Sequence, residues 1–132
     1  MEKSTFVIDV DGTICVAEKI KGTDTFDYSN ARPIDAVISR IRELKSGGHT
    51  IILHSARGMK THGGDREKIE LYVRPIMEAW LEKHEVPYDE LVLGKPWGPN
   101  VFYVDDRALS PYVFAHYKRG YEDVLQTNIL TL

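Results

Sequence analysis

Four short apolar runs each stop at or lead to a residue that carries chemistry, and segments of helical period separate the first three. Phe6-Val7-Ile8-Asp9-Val10 is a largely β-branched run closed by the turn residues Asp11-Gly12-Thr13. Thr50-Ile51-Ile52-Leu53-His54 is a second strand; it ends on Ser55, and residues 55–64 form a polar loop. Leu91-Val92-Leu93 is a third and leads to Lys95, and Val101-Phe102-Tyr103-Val104 reads as a fourth, ending in Asp105-Asp106. Between the first two, Pro33 sits where a first helical turn tolerates it. Ile34, Val37, Ile38, Ile41 and Leu44 then follow at helical spacing until Gly47-Gly48 stops the helix. From about Asp65 to His84, Ile69, Val73, Ile76 and Trp80 share one helical face, and Pro75 predicts a kink or restart. Ser110-Pro111 reads as the cap and opening of a last short helix. Residues 14–32 read as a loop or small hairpin. This order predicts an α/β fold with an open, mostly parallel sheet and right-handed crossovers.

At 132 residues the chain has room for one domain, residues 1–132, with a real core. Hydrophobic residues are 42% and charged residues 28%, which excludes a disordered chain, a collagen-like chain and a disulfide scaffold. No apolar run approaches the roughly 18 residues of a membrane helix. Met1 to Ser4 lead straight into a strand-like run, so no signal peptide is read, and the single Cys15 fits a reducing cytoplasm. A formal charge of −3 disfavours a nucleic-acid partner, which calls for a basic surface.

In open α/β sheets ligands sit beyond the carboxyl ends of the strands. Here those ends carry Asp9 and Asp11, then Ser55, then Lys95, then Asp105 and Asp106. Parallel strands lying side by side would gather three or four carboxylates, which repel unless something positive joins them. Oxygen ligands of this kind suit Mg²⁺. Lys95 adds a second positive charge and Ser55 a hydroxyl donor. Nucleophile, metal and donors together are what a phosphoryl group needs.

Asp9-Val10-Asp11-Gly12-Thr13, Ser55, Lys95 and Asp105-Asp106 resemble, in order, the four motifs of the haloacid dehalogenase superfamily of phosphatases. Ala56-Arg57-Gly58-Met59, Trp80-Leu81-Glu82-Lys83-His84, Val86-Pro87-Tyr88-Asp89-Glu90-Leu91, Gly94-Lys95-Pro96-Trp97 and Val104-Asp105-Asp106-Arg107-Ala108 further resemble small phosphatases found with capsular polysaccharide biosynthesis. The resemblance implies a three-layer α/β/α, Rossmann-like core. It implies Asp9 as the nucleophile forming an aspartyl-phosphate, and Asp11 as the group that protonates the leaving oxygen and then activates water. Asp9, the Asp11 carbonyl and Asp105 would bind Mg²⁺, with Asp106 assisting. Ser55, Lys95 and the backbone N–H groups of Val10, Asp11 and Gly12 would hold the phosphate. Asp11 favours ester hydrolysis over the dehalogenases, which lack it, and the ion pumps, which carry Thr there.

Caps in this superfamily enter after the first motif or between the second and third. Residues 14–32 are 19 residues, too few for a domain, and of the 39 residues at 56–94 about half read as helix. No cap domain is expected, and an open site of this kind points to a homo-oligomer in which a neighbour helps close it. Arg57, with Lys60 and His62, lies in the loop after Ser55 and is a candidate for reading the leaving group; Trp97 is a candidate for the site wall. Tyr28 in the flap is a weaker one. The substrate expected is a phosphorylated small molecule, a sugar phosphate or related metabolite. A polynucleotide end phosphatase and a non-enzymatic phospho-acceptor module are the alternatives.

Overall fold

β1 (Thr5–Ile8), β4 (Thr50–Ser55) and β5 (Glu90–Leu93) form a parallel sheet in the order β1-β4-β5 in the computed structural model, which describes residues 1–130. The register pairs Ile8 with Leu53 and Leu53 with Leu91. Because neighbours in a parallel ladder face the same way, Ile8, Ile51, Leu53, Leu91 and Leu93 share one face, and all are buried. A two-stranded antiparallel pair, β2 (Cys15–Val16) with β3 (Arg32–Pro33), closes the flap between β1 and the first helix.

α1 (Asp35–Ser46) presents Val37, Ile38, Ile41 and Leu44 to that buried face and ends at Gly47. The second helical stretch is two helices, α2 (Arg66–Tyr72) and α3 (Arg74–Lys83). The side chain of Asp65 caps α2 by accepting from the N–H groups of Glu67 and Lys68, and Pro75 lies in the first turn of α3. Trp80 on α3 is buried and its indole N–H donates to the Ala31 carbonyl at 3.0 Å, which ties the flap to the core. α4 (Pro111–His116) opens on the Ser110 hydroxyl, which accepts from the Val113 N–H. α5 (Glu122–Leu130) has no counterpart in the sequence reading. Tyr121, just before it, accepts from Arg40 Nε on α1 and donates to the Phe114 carbonyl, both at 2.9 Å.

Three expectations need correction. Residues 101–104 form no strand: Phe102 is 81% and Val104 98% exposed. The chain instead turns after Pro99, with the Val101 N–H on the Gly98 carbonyl and the Tyr103 hydroxyl on the Pro96 carbonyl. Those contacts hold the run at the surface, so its apolar composition does not translate into a ladder. Pro33 lies in β3, and the helix begins at Asp35. Successive rightward crossovers from β1 to β4 to β5 put their helices on one face. The opposite face, with Val7, Ile52, His54 and Val92, stays partly exposed. The sequence's single terminal helix is two. No helix among the described residues is long and apolar enough to cross a membrane.

Candidate functional site

The three parallel strands run the same way and adjoin one another, so their carboxyl ends lie in a row. Asp9 follows β1, Ser55 ends β4 and Lys95 follows β5. The Lys95 ammonium stands 3.5 Å from the Asp9 carboxylate. The Thr13 hydroxyl donates to the other Asp9 oxygen at 3.4 Å. Ser55 is buried; its carbonyl accepts from the Lys95 N–H and its hydroxyl oxygen accepts from the Arg57 N–H at 3.0 Å. Asp9, Thr13, His54, Lys95, Asp105 and Arg107 line one cavity of about 540 Å³, which continues along the open edge of β1.

Asp11 belongs to a separate cluster. Arg57 donates to it twice, Nε to Oδ2 at 3.0 Å and Nη2 to Oδ1 at 2.8 Å. The Tyr28 ring covers the guanidinium, 4.1 Å from centroid to Cζ. The Cys15 thiol lies 3.5 Å from Asp11 Oδ1. Burial, and then the Asp11 charge, pushes that thiol up to about 12, with Arg57 opposing. The same two causes, in the same order, raise the Tyr28 phenol above its usual value.

The expected gathering of carboxylates is therefore divided. Among the described residues, no three or more His, Cys, Asp or Glu side chains stand together as a metal set. Asp106 is exposed and outside the cavity lining. Asp9 and Asp105 do face one cavity. Two carboxylates are what magnesium ordinarily takes from a protein, with water and substrate oxygens completing its shell, so this donor pair fits a hard divalent cation. Asp105 Oδ1 also accepts from the Arg107 N–H at 2.7 Å. Of the expected backbone phosphate donors, Gly12 N–H instead donates to the Cys15 carbonyl at 2.8 Å, and Val10 is fully buried. Trp97 is half-exposed and does not line the cavity.

The sequence reading missed Thr13, His54 and Arg107. In sequence Thr13 reads as turn chemistry, although a hydroxyl four residues after a strand-end carboxylate can reach back to it. Alternation correctly turns His54 away from Ser55, yet the uncovered sheet face brings it to the cavity. Burial, and then the nearby Lys95, lowers its imidazole below the ordinary value, with Asp9 opposing. Arg107 carried no signal beyond its place after Asp106.

A crystal structure of a structural-genomics target from Vibrio cholerae matches this chain with a TM-score of 0.81 and 38% identity, over 98% of this chain and 99% of that one. Chains from two structures of a Pnkp1/Rnl/Hen1 complex, one titled an RNA repair complex, match with a TM-score of 0.50 at 21% and 20% identity. Each match covers 79% of this chain and spans 31% and 29% of those longer chains. That likeness is one of fold. No family model and no curated protein matches the chain.

Proposed function

The chain belongs to the same family as the Vibrio cholerae protein, and we propose that it is a phosphomonoesterase working through an aspartyl-phosphate on Asp9. The observation that carries this reading is the Asp9–Lys95 pair, 3.5 Å apart and lining a cavity that Asp105 also lines. A carboxylate oxygen of Asp9 attacks phosphorus and the bond from phosphorus to the leaving oxygen breaks. Lys95 neutralises charge on the phosphoryl oxygens, and the Ser55 hydroxyl has its own proton left to donate to one of them. Asp11 gives its proton to the leaving oxygen. It then takes one from the water that attacks the aspartyl-phosphate, releasing phosphate and restoring Asp9. Asp9 and Asp105 would hold magnesium, which when bound supplies further neutralisation of the phosphoryl oxygens. The substrate is a phosphorylated small molecule of the sugar-phosphate kind, consistent with the resemblance to capsular polysaccharide phosphatases, and the working form is a homo-oligomer.

The test is phosphate release in magnesium from a panel of sugar phosphates, nucleotides and a 3′-phosphorylated oligonucleotide. Continuous release from a sugar phosphate, lost on Asp9→Asn and on chelation, is the expected result. Faster turnover of the oligonucleotide would favour a polynucleotide end phosphatase, the second reading. The fold shared with a chain of the Pnkp1 complex keeps it in the panel. Release of one phosphate per chain and no more would make this a phospho-acceptor module.

A further inference from the structure

Arg57 is 6% exposed, and the one cationic fork of its side chain is spent on Asp11. A bidentate guanidinium–carboxylate pair fixes the plane of the carboxylate as well as its distance. Three further contacts fix the fork itself. The Tyr28 ring lies over it, the Arg57 N–H is held by the Ser55 hydroxyl oxygen, and Gly58 turns the chain immediately after it. One residue thus links the proposed phosphate donor Ser55 to the side chain of Asp11, which lies 46 positions before Arg57 in the chain. A carboxylate has roughly four lone-pair sites. Arg57 occupies two of them and the Cys15 thiol approaches a third, which leaves room for one further partner. Arg57 Nη1 is buried with no hydrogen-bond partner among the described residues, so the guanidinium sits here for its fork toward Asp11 rather than for full satisfaction.

We propose that Arg57 is the positioning residue for Asp11: its fork fixes the plane of the carboxyl group that passes the proton to the leaving oxygen. This assigns Arg57 a role other than reading the leaving group by direct contact. It rests on the phosphomonoesterase reading above. Its consequence is selective. An alkoxide leaves poorly without a proton, so a sugar phosphate depends on Asp11's orientation. The phenolate of a nitrophenyl phosphate leaves without help, so formation of the aspartyl-phosphate from that ester, the step that kcat/KM reads, depends on it far less, while breakdown of the intermediate needs Asp11 as base whichever ester supplied it.

The test compares kcat/KM, and kcat and KM separately, on a nitrophenyl phosphate and on an alkyl or sugar phosphate that the wild-type chain turns over. Arg57→Lys keeps the charge and loses the fork. Tyr28→Leu keeps Arg57 and Asp11 and loosens their support, which covers the case where the first variant folds poorly. The expected result for Arg57→Lys is a kcat/KM loss of about 10² or more on the alkyl ester and under about tenfold on the aryl ester. Tyr28→Leu shifts both in the same direction by less. Equal losses of kcat/KM on the two esters would overturn the proposal in favour of a merely structural role. A rise in KM with kcat held would overturn it in favour of direct substrate binding. Asp9→Asn is run alongside: if it leaves turnover intact, the phosphomonoesterase reading fails, and that failure is separate from any result at Arg57.

Discussion

Lys95 and Asp9 meet at 3.5 Å across the ends of β5 and β1, two strands that do not touch because β4 lies between them. The pair is partly exposed, with Lys95 at 19% and Asp9 at 36%, and pairs in such settings contribute about 0–1 kcal/mol to stability. Its value lies in the charge it places on a phosphoryl group. Lys95→Met should therefore lower kcat by about 10²–10³, the usual effect of deleting one preorganised donor. The urea midpoint should hardly move. Phosphate release and a urea titration on the same preparation check both halves; a variant that loses stability and activity together would contradict the assignment.

Gly58 makes the loop after Ser55 possible. It sits at φ +85°, and a Cβ there would stand 2.6 Å from Val73 Cγ2, between the loop and the start of α3. Left-handed backbone costs a non-glycine residue about 1–2 kcal/mol, and the clash adds to that. Gly58→Ala should lower stability by about 2 kcal/mol or more, read as a shift in urea midpoint at constant m. Turnover of alkyl esters should fall as well, because Arg57 is the preceding residue.

Much of this arrangement is legible in the sequence because it is local. The helical spacing of Val37, Ile38, Ile41 and Leu44, the Asp65 cap and the Pro75 restart each state their element within a few residues. The carboxyl-edge positions of Asp9, Ser55 and Lys95 follow once the strands are parallel neighbours. What is not legible is tertiary. Val101–Val104 has a strand's composition, yet whether such a run pairs depends on what the Pro96–Pro99 turn does with it. The grip of Arg57 on Asp11 joins residues 46 positions apart, and no period or spacing announces it. The same holds for His54, whose exposure to the cavity depends on a sheet face that the helices leave uncovered.

His49 supplies a pH dependence of known sign. Its Nδ1 accepts from the Ser4 N–H at 3.0 Å, so the folded chain needs that nitrogen unprotonated. Burial, then the charges of Lys3, the amino terminus and Arg40, lowers the imidazole below its ordinary value. In the unfolded chain it titrates near 6.5. The unfolded state thus binds the proton first, and stability is full above about pH 7 and falls as pH drops through the unfolded value toward the folded one. His54 is lowered too and acts in the same direction. Urea titrations at intervals from pH 7.5 to 5.5 should show this slope, and His49→Gln should reduce it. An unchanged slope in that variant would remove His49 as a source.

Cys15 is fully buried behind the Asp11–Arg57 pair, and its thiol is pushed up to about 12 by burial and then by the Asp11 charge. The thiolate is the reactive form, so the folded chain should resist iodoacetamide at pH 8, and label quickly once denatured. Labelling under native conditions then runs through opening of the β2–β3 flap, and its rate measures how often that flap leaves the Asp11 cluster. A raised folded value also fixes the alkaline limb. The unfolded thiol ionises first, so this group's contribution is complete below about pH 8.5 and is lost as pH rises toward the folded value. Cys15→Ala should flatten that limb. Rapid native labelling at pH 8, at the rate of a free thiol, would show that Cys15 is not held where the Asp11 cluster requires it.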